Sequence, residues 1–398
     1  MSDFRARRNV FVLTICQILF NTGRTLVFIT SPVIGHALVE NKAWATAPIT
    51  VMLVGTALGA MPAAQLMRRI GRRAGFAIGS LLGTVAGGAG YLSLSEQSFF
   101  IFLVATFLFG LFSAFAHQYR FAAADVAPHD FKSKAISLVL AGGVVAAFTG
   151  PELAKLGREW MGGIEFMGTY VLLMIVSLAS AIIVLFVDIP KLDEEEAAGP
   201  QRSLGTIMRA PIFIVASGTA TLGYLVMNLL MTSTPLAMQM GSGLLFNDVA
   251  LVLEWHIFAM FAPGFFTGSL IRRFGHLPII AMGNLALMAG VAAGLAGQEV
   301  THFWVALFMI GFGWNFAFTG GSALLVEAHT PAERAKVQGA NDFIIATFMS
   351  ISSLVSGMLY HVAGWTWVNL ATLPLMAASL TAVLWLAFLN RRSAQSAA

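Results

Sequence analysis

Arg68-Arg69-Ile70-Gly71 and Arg272-Arg273-Phe274-Gly275 are one short phrase written twice, 204 residues apart. Each copy follows an apolar run and precedes another. A second phrase repeats at nearly the same offset. Asp125 ahead of Lys132-Ser133-Lys134 and Glu327 ahead of Arg334-Ala335-Lys336 are 202 residues apart. Both offsets are about half of the 398-residue chain. A repeat of this size predicts two halves of parallel topology.

Composition says what the halves are made of. Hydrophobic residues make up 58% of the chain and charged residues 11%, where a soluble protein is about half apolar and about a quarter charged. Water-facing surface needs charge, and this chain has too little for a soluble body of its size. Apolar runs of about 20 residues, enough to cross a bilayer, recur from end to end. They read as spans at 10–30, 44–66, 75–95, 99–126, 135–157, 168–187, 211–236, 249–271, 277–297, 303–328, 337–361 and 364–389. The expected fold is an all-α membrane protein with twelve transmembrane helices in two pseudo-symmetric six-helix bundles. One connection is long and polar. It covers 188–210 and holds Pro190, Pro200 and the acidic run Asp193–Glu196, which reads as a linker on the cytoplasmic side. Residues 1–187 and 211–398 are then the N- and C-terminal bundles.

Orientation follows from lysine and arginine. With a cytoplasmic N-terminus, 18 of the 23 basic residues fall in inner segments and only Lys42, Lys155 and Arg158 in outer ones. Arg24 and Arg120 fall inside spans. The split predicts a multi-pass protein with both termini cytoplasmic. The net charge of +4 is no nucleic-acid signal, because the basic residues sit at helix ends. Cys16 is the one cysteine, so no disulfide framework or CxxC motif is expected. No nucleophile–base constellation or phosphate loop appears. An enzyme is not expected, nor is a resident cofactor.

Polar side chains inside spans usually face a cavity or a partner. The cavity and coupling candidates are Asn21 and Arg24 in the first span, His117 and Arg120 in the fourth, Glu152 in the fifth, Glu254 in the eighth and Asn315 in the tenth. Asp125 and Glu327 lie close to basic loops. With Arg68, Arg69, Gly71, Arg272, Arg273 and Gly275 they read as a gate between the bundles.

Two motifs stand on consecutive spans. The seventh carries Met227-Asn228-Leu229-Leu230-Met231 and the eighth His256-Ile257-Phe258-Ala259-Met260. Residues four apart share a helix face, so each motif sets two soft donors one turn apart. Thioether and imidazole suit Cu(I), whereas Mg, Ca and Mn want oxygen. The chain also has 19 methionines, which pack well in apolar helices. Met227, Met231, His256 and Met260 therefore read as metal ligands or as packing residues.

The stretch Gln65–Arg73 resembles the loop signature of the major facilitator superfamily. It departs from the pattern in having Arg68, and in the second copy Arg272, where the family carries an acid. The MxxxM and HxxxM pair further resembles the CcoA-like (CalT) copper-transporter branch, as does the run from Gly313-Trp314-Asn315 to Asn341-Asp342. That resemblance implies a bacterial inner-membrane importer working by alternating access as a monomer. Its substrate would be copper for cbb3-type oxidase assembly, bound by Met227, Met231, His256 and Met260. The alternative is riboflavin or another small organic solute, since related transporters of the branch carry riboflavin and the 32 Phe and 8 Trp can wall a flat ring.

Overall fold

The computed structural model describes residues 3–128, 132–189 and 202–397. Linker residues 190–201 and the side chains of Lys132, Lys134 and Arg334 lie outside the described residues. The chain runs through helices α1 (Asp3–Leu38), α2 (Ala47–Ile70), α3 (Arg72–Ser95), α4 (Phe99–Ala116), α5 (Tyr119–Val126), α6 (Lys132–Glu159) and α7 (Met167–Ile183). A short α8 (Leu204–Met208) follows, then α9 (Pro211–Leu236), α10 (Phe246–Phe261), α11 (Gly264–Phe274), α12 (His276–Ala296), α13 (Val300–Val326), α14 (Arg334–Leu370) and α15 (Leu373–Ala397). Among the described residues there is no strand. In hydrocarbon every backbone group needs an internal partner, which helices supply.

Among the described residues ten helical stretches are long and apolar enough to cross a membrane, and α10 with α11, bent by 41°, makes an eleventh. One of the ten is the 57-residue stretch Lys336–Arg392. At about 1.5 Å per residue it would far exceed a hydrocarbon core of about 30 Å. It breaks at Gly364, whose φ is 76°, so it makes two crossings and the total among the described residues is twelve. Two spans that read as continuous are interrupted. The fourth turns at His117 and Gln118, between α4 and α5, and the eighth at Ala262 and Pro263, between α10 and α11.

The repeated phrases have a backbone cause. Gly71 and Gly275 each end one helix and start the next, at φ 89° and 86°. Only glycine takes that region without strain. Both turns lie on the face that carries the two chain ends, here called the terminal face.

α1 packs on α6 and α7, while α3 packs on α4 and α7 and α2 on α4. In the second group α9 packs on α13, α14 and α15, and α12 on α13. A Cβ on Gly313 would meet the Gly283 carbonyl oxygen at 2.6 Å, so α12 and α13 touch backbone to backbone. Such close approach replaces the missing hydrophobic drive between helices in lipid. The groups meet through α6 with α10 and α2 with α14. Towards the face opposite the termini, Thr46 Oγ1 donates to the Ser353 carbonyl at 2.8 Å. Phe166 meets Phe246 edge-on at 5.0 Å. Arg158 lies over both rings and pairs with Glu165 at 2.8 Å.

Both ends of the linker are anchored. Asn9 donates to the Asp188 carbonyl at 2.6 Å and accepts from its N–H at 3.1 Å. The Arg202 guanidinium forks onto the buried Glu333 carboxylate at 3.0 and 2.7 Å. The Arg202 and Thr330 N–H groups donate to the same carboxylate. Together these donors hold the Glu333 carboxyl well below its ordinary range, the Arg202 side chain contributing most.

Candidate functional site

Asn21, Arg24, Thr25 and Phe28 follow one another at helical spacing and share a face of α1. That face is one wall of a cavity between the two groups. Ala146 of α6 adjoins it. The facing wall is Met227, Asn228 and Met231 of α9, Ile257, Met260 and Phe261 of α10, and Met349 of α14. The space between the walls, its mouth included, is about 470 Å³.

Two amides set the thioether wall. Asn228 Nδ2 donates to the Met349 carbonyl at 3.0 Å and to Ser352 Oγ at 2.8 Å. This ties α9 to α14 and brings Met349 beside Met227 and Met231. Asn315 Nδ2 donates to the Met260 carbonyl at 2.7 Å, and Thr267 Oγ1 donates to Asn315 Oδ1 at 2.8 Å. The break before Pro263 disrupts the helical ladder at this point, and Asn315 supplies the donor. Asn315 thus positions Met260 from behind the wall.

The α1 wall is different in kind. Asn21 is 6% exposed, and among the described residues its side chain has no hydrogen-bond partner. Arg24 has no ion pair or hydrogen bond among them either. Its guanidinium lies over the Phe28 ring at 5.4 Å. Among the described residues no carboxylate lines the cavity.

Three of the four candidate metal ligands therefore converge on the cavity, and His256 is elsewhere. It is fully buried between α10 and α13, with Nδ1 at 2.6 Å from the Leu307 carbonyl and Nε2 unpartnered. The turn at Pro263 does not carry it round to the methionine face. Among the described residues no cluster of three His, Cys, Asp or Glu side chains could hold a metal ion. Cys16 is buried towards the Ser180 carbonyl.

The remaining candidates scatter. Glu152 is exposed and paired with Lys155 one turn along α6. Glu254 is an electrostatic neighbour of both, across the α6–α10 seam. His117 and Asp342 are exposed on opposite groups, and Arg120 acts electrostatically on each. The gate residues pair within each group. Arg72 meets Asp125 at 2.5 Å, and its repeat counterpart His276 meets Glu327 at 3.3 Å. Arg272 is exposed, and Arg273 lies over Phe274.

Sequence reading missed Thr25, Phe28, Phe261 and Met349. The helical spacing of Asn21, Arg24, Thr25 and Phe28 was a usable signal for the first two. Met349 has no local motif and is found only through Asn228.

The family model of the Major Facilitator Superfamily matches residues 13–265 and 246–398. The riboflavin transporter RfnT of Brucella anthropi is 38% identical over 374 residues, 94% of each chain. YdeG of Bacillus subtilis, an uncharacterized MFS-type transporter, is 28% identical over 92% of this chain and 88% of its own. A bacterial homolog of the human lysosomal transporter Spinster, in an inward-facing and unoccupied conformation, superposes with a TM-score of 0.67. It covers 98% of this chain and 96% of that one at 16% identity, a likeness of fold. The relative whose name gives a substrate is a riboflavin transporter, and riboflavin is the alternative solute of the sequence reading.

Proposed function

The chain belongs to the major facilitator superfamily, and on that premise we propose that it takes up riboflavin, or a flat heterocycle like it, across a bacterial inner membrane. The two helix groups, α1–α7 and α9–α15, rock about the central cavity, with residues 188–210 as their link. The basic terminal face is cytoplasmic, by the charge rule. The contacts of Thr46 with Ser353 and of Phe166 with Phe246 then close the outer side in this state.

The observation that carries the choice of substrate is Arg24, a cation facing the methionines with no ion pair and no lining carboxylate among the described residues. Like unit charges about 8 Å apart repel by about 2 kcal/mol at an effective dielectric of about 20. A metal ion in a cavity this small could not stand much farther from the guanidinium. A neutral solute with carbonyl acceptors gains from the same group, since charge-assisted hydrogen bonds are the stronger kind. The polarizable thioethers and the rings of Phe28 and Phe261 suit a flat aromatic face. The riboflavin-transporting relative, alignable over nearly the whole chain, supports the same reading.

Copper import is the second reading. What favours it is the convergence of Met227, Met231 and Met260, joined by Met349, on one wall. Uptake of labelled riboflavin and of ⁶⁴Cu in cells expressing the chain separates the two. Riboflavin uptake lost in Arg24→Ala at normal expression supports the proposal. Saturable copper uptake without riboflavin uptake overturns it.

A further inference from the structure

A polar side chain that lines a cavity without a hydrogen bond to the protein is free to bond what enters it. This cavity holds three such side chains on one helix face, Asn21, Arg24 and Thr25. Asn21, 6% exposed, and Arg24, one turn on, line it without a hydrogen-bond or ion-pair partner among the described residues. Asn228, the polar lining residue outside α1, has its amide N–H groups committed to the Met349 carbonyl and Ser352. The free hydrogen-bonding capacity of the cavity is therefore concentrated on α1, and its types are known. An amide offers one acceptor and one donor side by side, and a guanidinium offers donors only.

We infer that Asn21 and Arg24 are the specificity-determining pair, and that they read an acceptor–donor–acceptor edge. In chemical terms this is the cyclic imide, C=O, N–H, C=O, of a planar ring. Asn21 Oδ1 accepts from the ring N–H, and Asn21 Nδ2 donates to one flanking carbonyl. Arg24 donates to the other. The ring extends away from α1, with its faces against the thioethers of Met227, Met231, Met260 and Met349. A flavin carries this edge on its pyrimidinedione ring, with N3–H between the carbonyls at C2 and C4. The inference rests on the proposed function only for its choice of probe. It adds which edge is recognised and by which residues. A site built on hydrogen bonds to a ligand rejects an analogue that lacks them far more strongly than an apolar pocket rejects a missing methylene.

The test is binding to the purified full-length protein, read by flavin fluorescence, with riboflavin, N3-methylriboflavin and lumichrome. Lumichrome keeps the imide and lacks the ribityl chain. The N3-methyl compound is expected to bind at least about tenfold more weakly than riboflavin. In Asn21→Ala that gap shrinks below about threefold, while N3-methylriboflavin binds as it does to the unaltered protein, which also shows that the variant is folded. Equal binding of riboflavin and its N3-methyl form overturns the inference and leaves riboflavin as substrate. Binding of lumichrome but not riboflavin upholds the imide edge and overturns the proposed substrate. Failure of every imide ring to bind overturns both.

Discussion

The two walls of the cavity come from helix groups that repeat each other near the terminal face, yet they carry opposite chemistry. α1 presents an amide, a guanidinium and a hydroxyl at Asn21, Arg24 and Thr25, while α9, α10 and α14 present four thioethers. The repeat is kept where both groups need the same turn, as at Gly71 and Gly275, and abandoned where they face the cavity. One wall can discriminate by hydrogen bonding, and the other can only hold. A thioether wall adapts to a ring face because methionine is unbranched and polarizable. A buried polar wall tolerates only a ligand that satisfies it.

This division can be tested by changing one wall at a time. Arg24→Ala should lower initial rates of riboflavin uptake by roughly 10- to 100-fold, the span of a lost charge-assisted hydrogen bond. Undiminished uptake would make the polar wall idle. On the other wall the shape of the side chain should matter and its sulfur should not. Met231→Ala is expected to reduce uptake by roughly fivefold through lost contact, and Met231→Leu, a volume-conserving change, by less than about twofold. If Met231→Leu is as damaging as Met231→Ala, sulfur is acting as a ligand and copper regains its case.

His256→Leu should leave the riboflavin Kd within about twofold, because the ring lies behind the wall against the Leu307 carbonyl. The variant should instead be less stable, by about 1 kcal/mol for the lost hydrogen bond, seen as a lower Tm. A lost binding site at unchanged Tm would return His256 to the cavity.

The smallest effect concerns the linker, where the two groups again differ. The N-terminal group holds Asp188 by a neutral amide, Asn9, and the C-terminal group holds Arg202 by a carboxylate, Glu333. The Glu333 carboxyl is lowered from an ordinary value near 4.5. Its anchor is therefore at full strength above that value and is lost as pH falls through the lowered value of the folded state. Hydrogen exchange around Arg202 should be constant from about pH 8 to about pH 5 once corrected for intrinsic rates, rising only in stronger acid. The Asp188 end should show no such step, and Glu333→Gln should loosen the Arg202 end at every pH.

Much of the fold was legible in the chain because lipid imposes it locally. Span length, the excess of Lys and Arg between alternate spans, and the doubled Arg-Arg-x-Gly phrase are sums or patterns along the sequence. They need no knowledge of which helix touches which. The breaks were less legible. Pro263 could have marked the bend between α10 and α11, but proline is also tolerated inside continuous membrane helices. Pro32 of α1 and Pro151 of α6 are examples. Of the candidate site, the α1 stripe and the MxxxM pair were readable as faces of single helices.

What lay beyond the sequence was which faces meet. His256 and Met260 share a helical stripe on paper, yet one is turned to Leu307 and the other to the cavity. The rotation of a helix about its own axis is set by its neighbours. Here those are the Asn315 contact at the Pro263 break and the tie from Asn228 to α14. Met349 joins the thioethers from 118 residues beyond Met231 through that tie and the packing of α14 on α9 around it. Hydropathy and charge determine that the chain crosses the membrane and how often, because each residue meets lipid or water independently of the others. The gathering of Asn21, Arg24 and four methionines around one space depends on packing between helices distant in sequence, and that belongs to the tertiary structure.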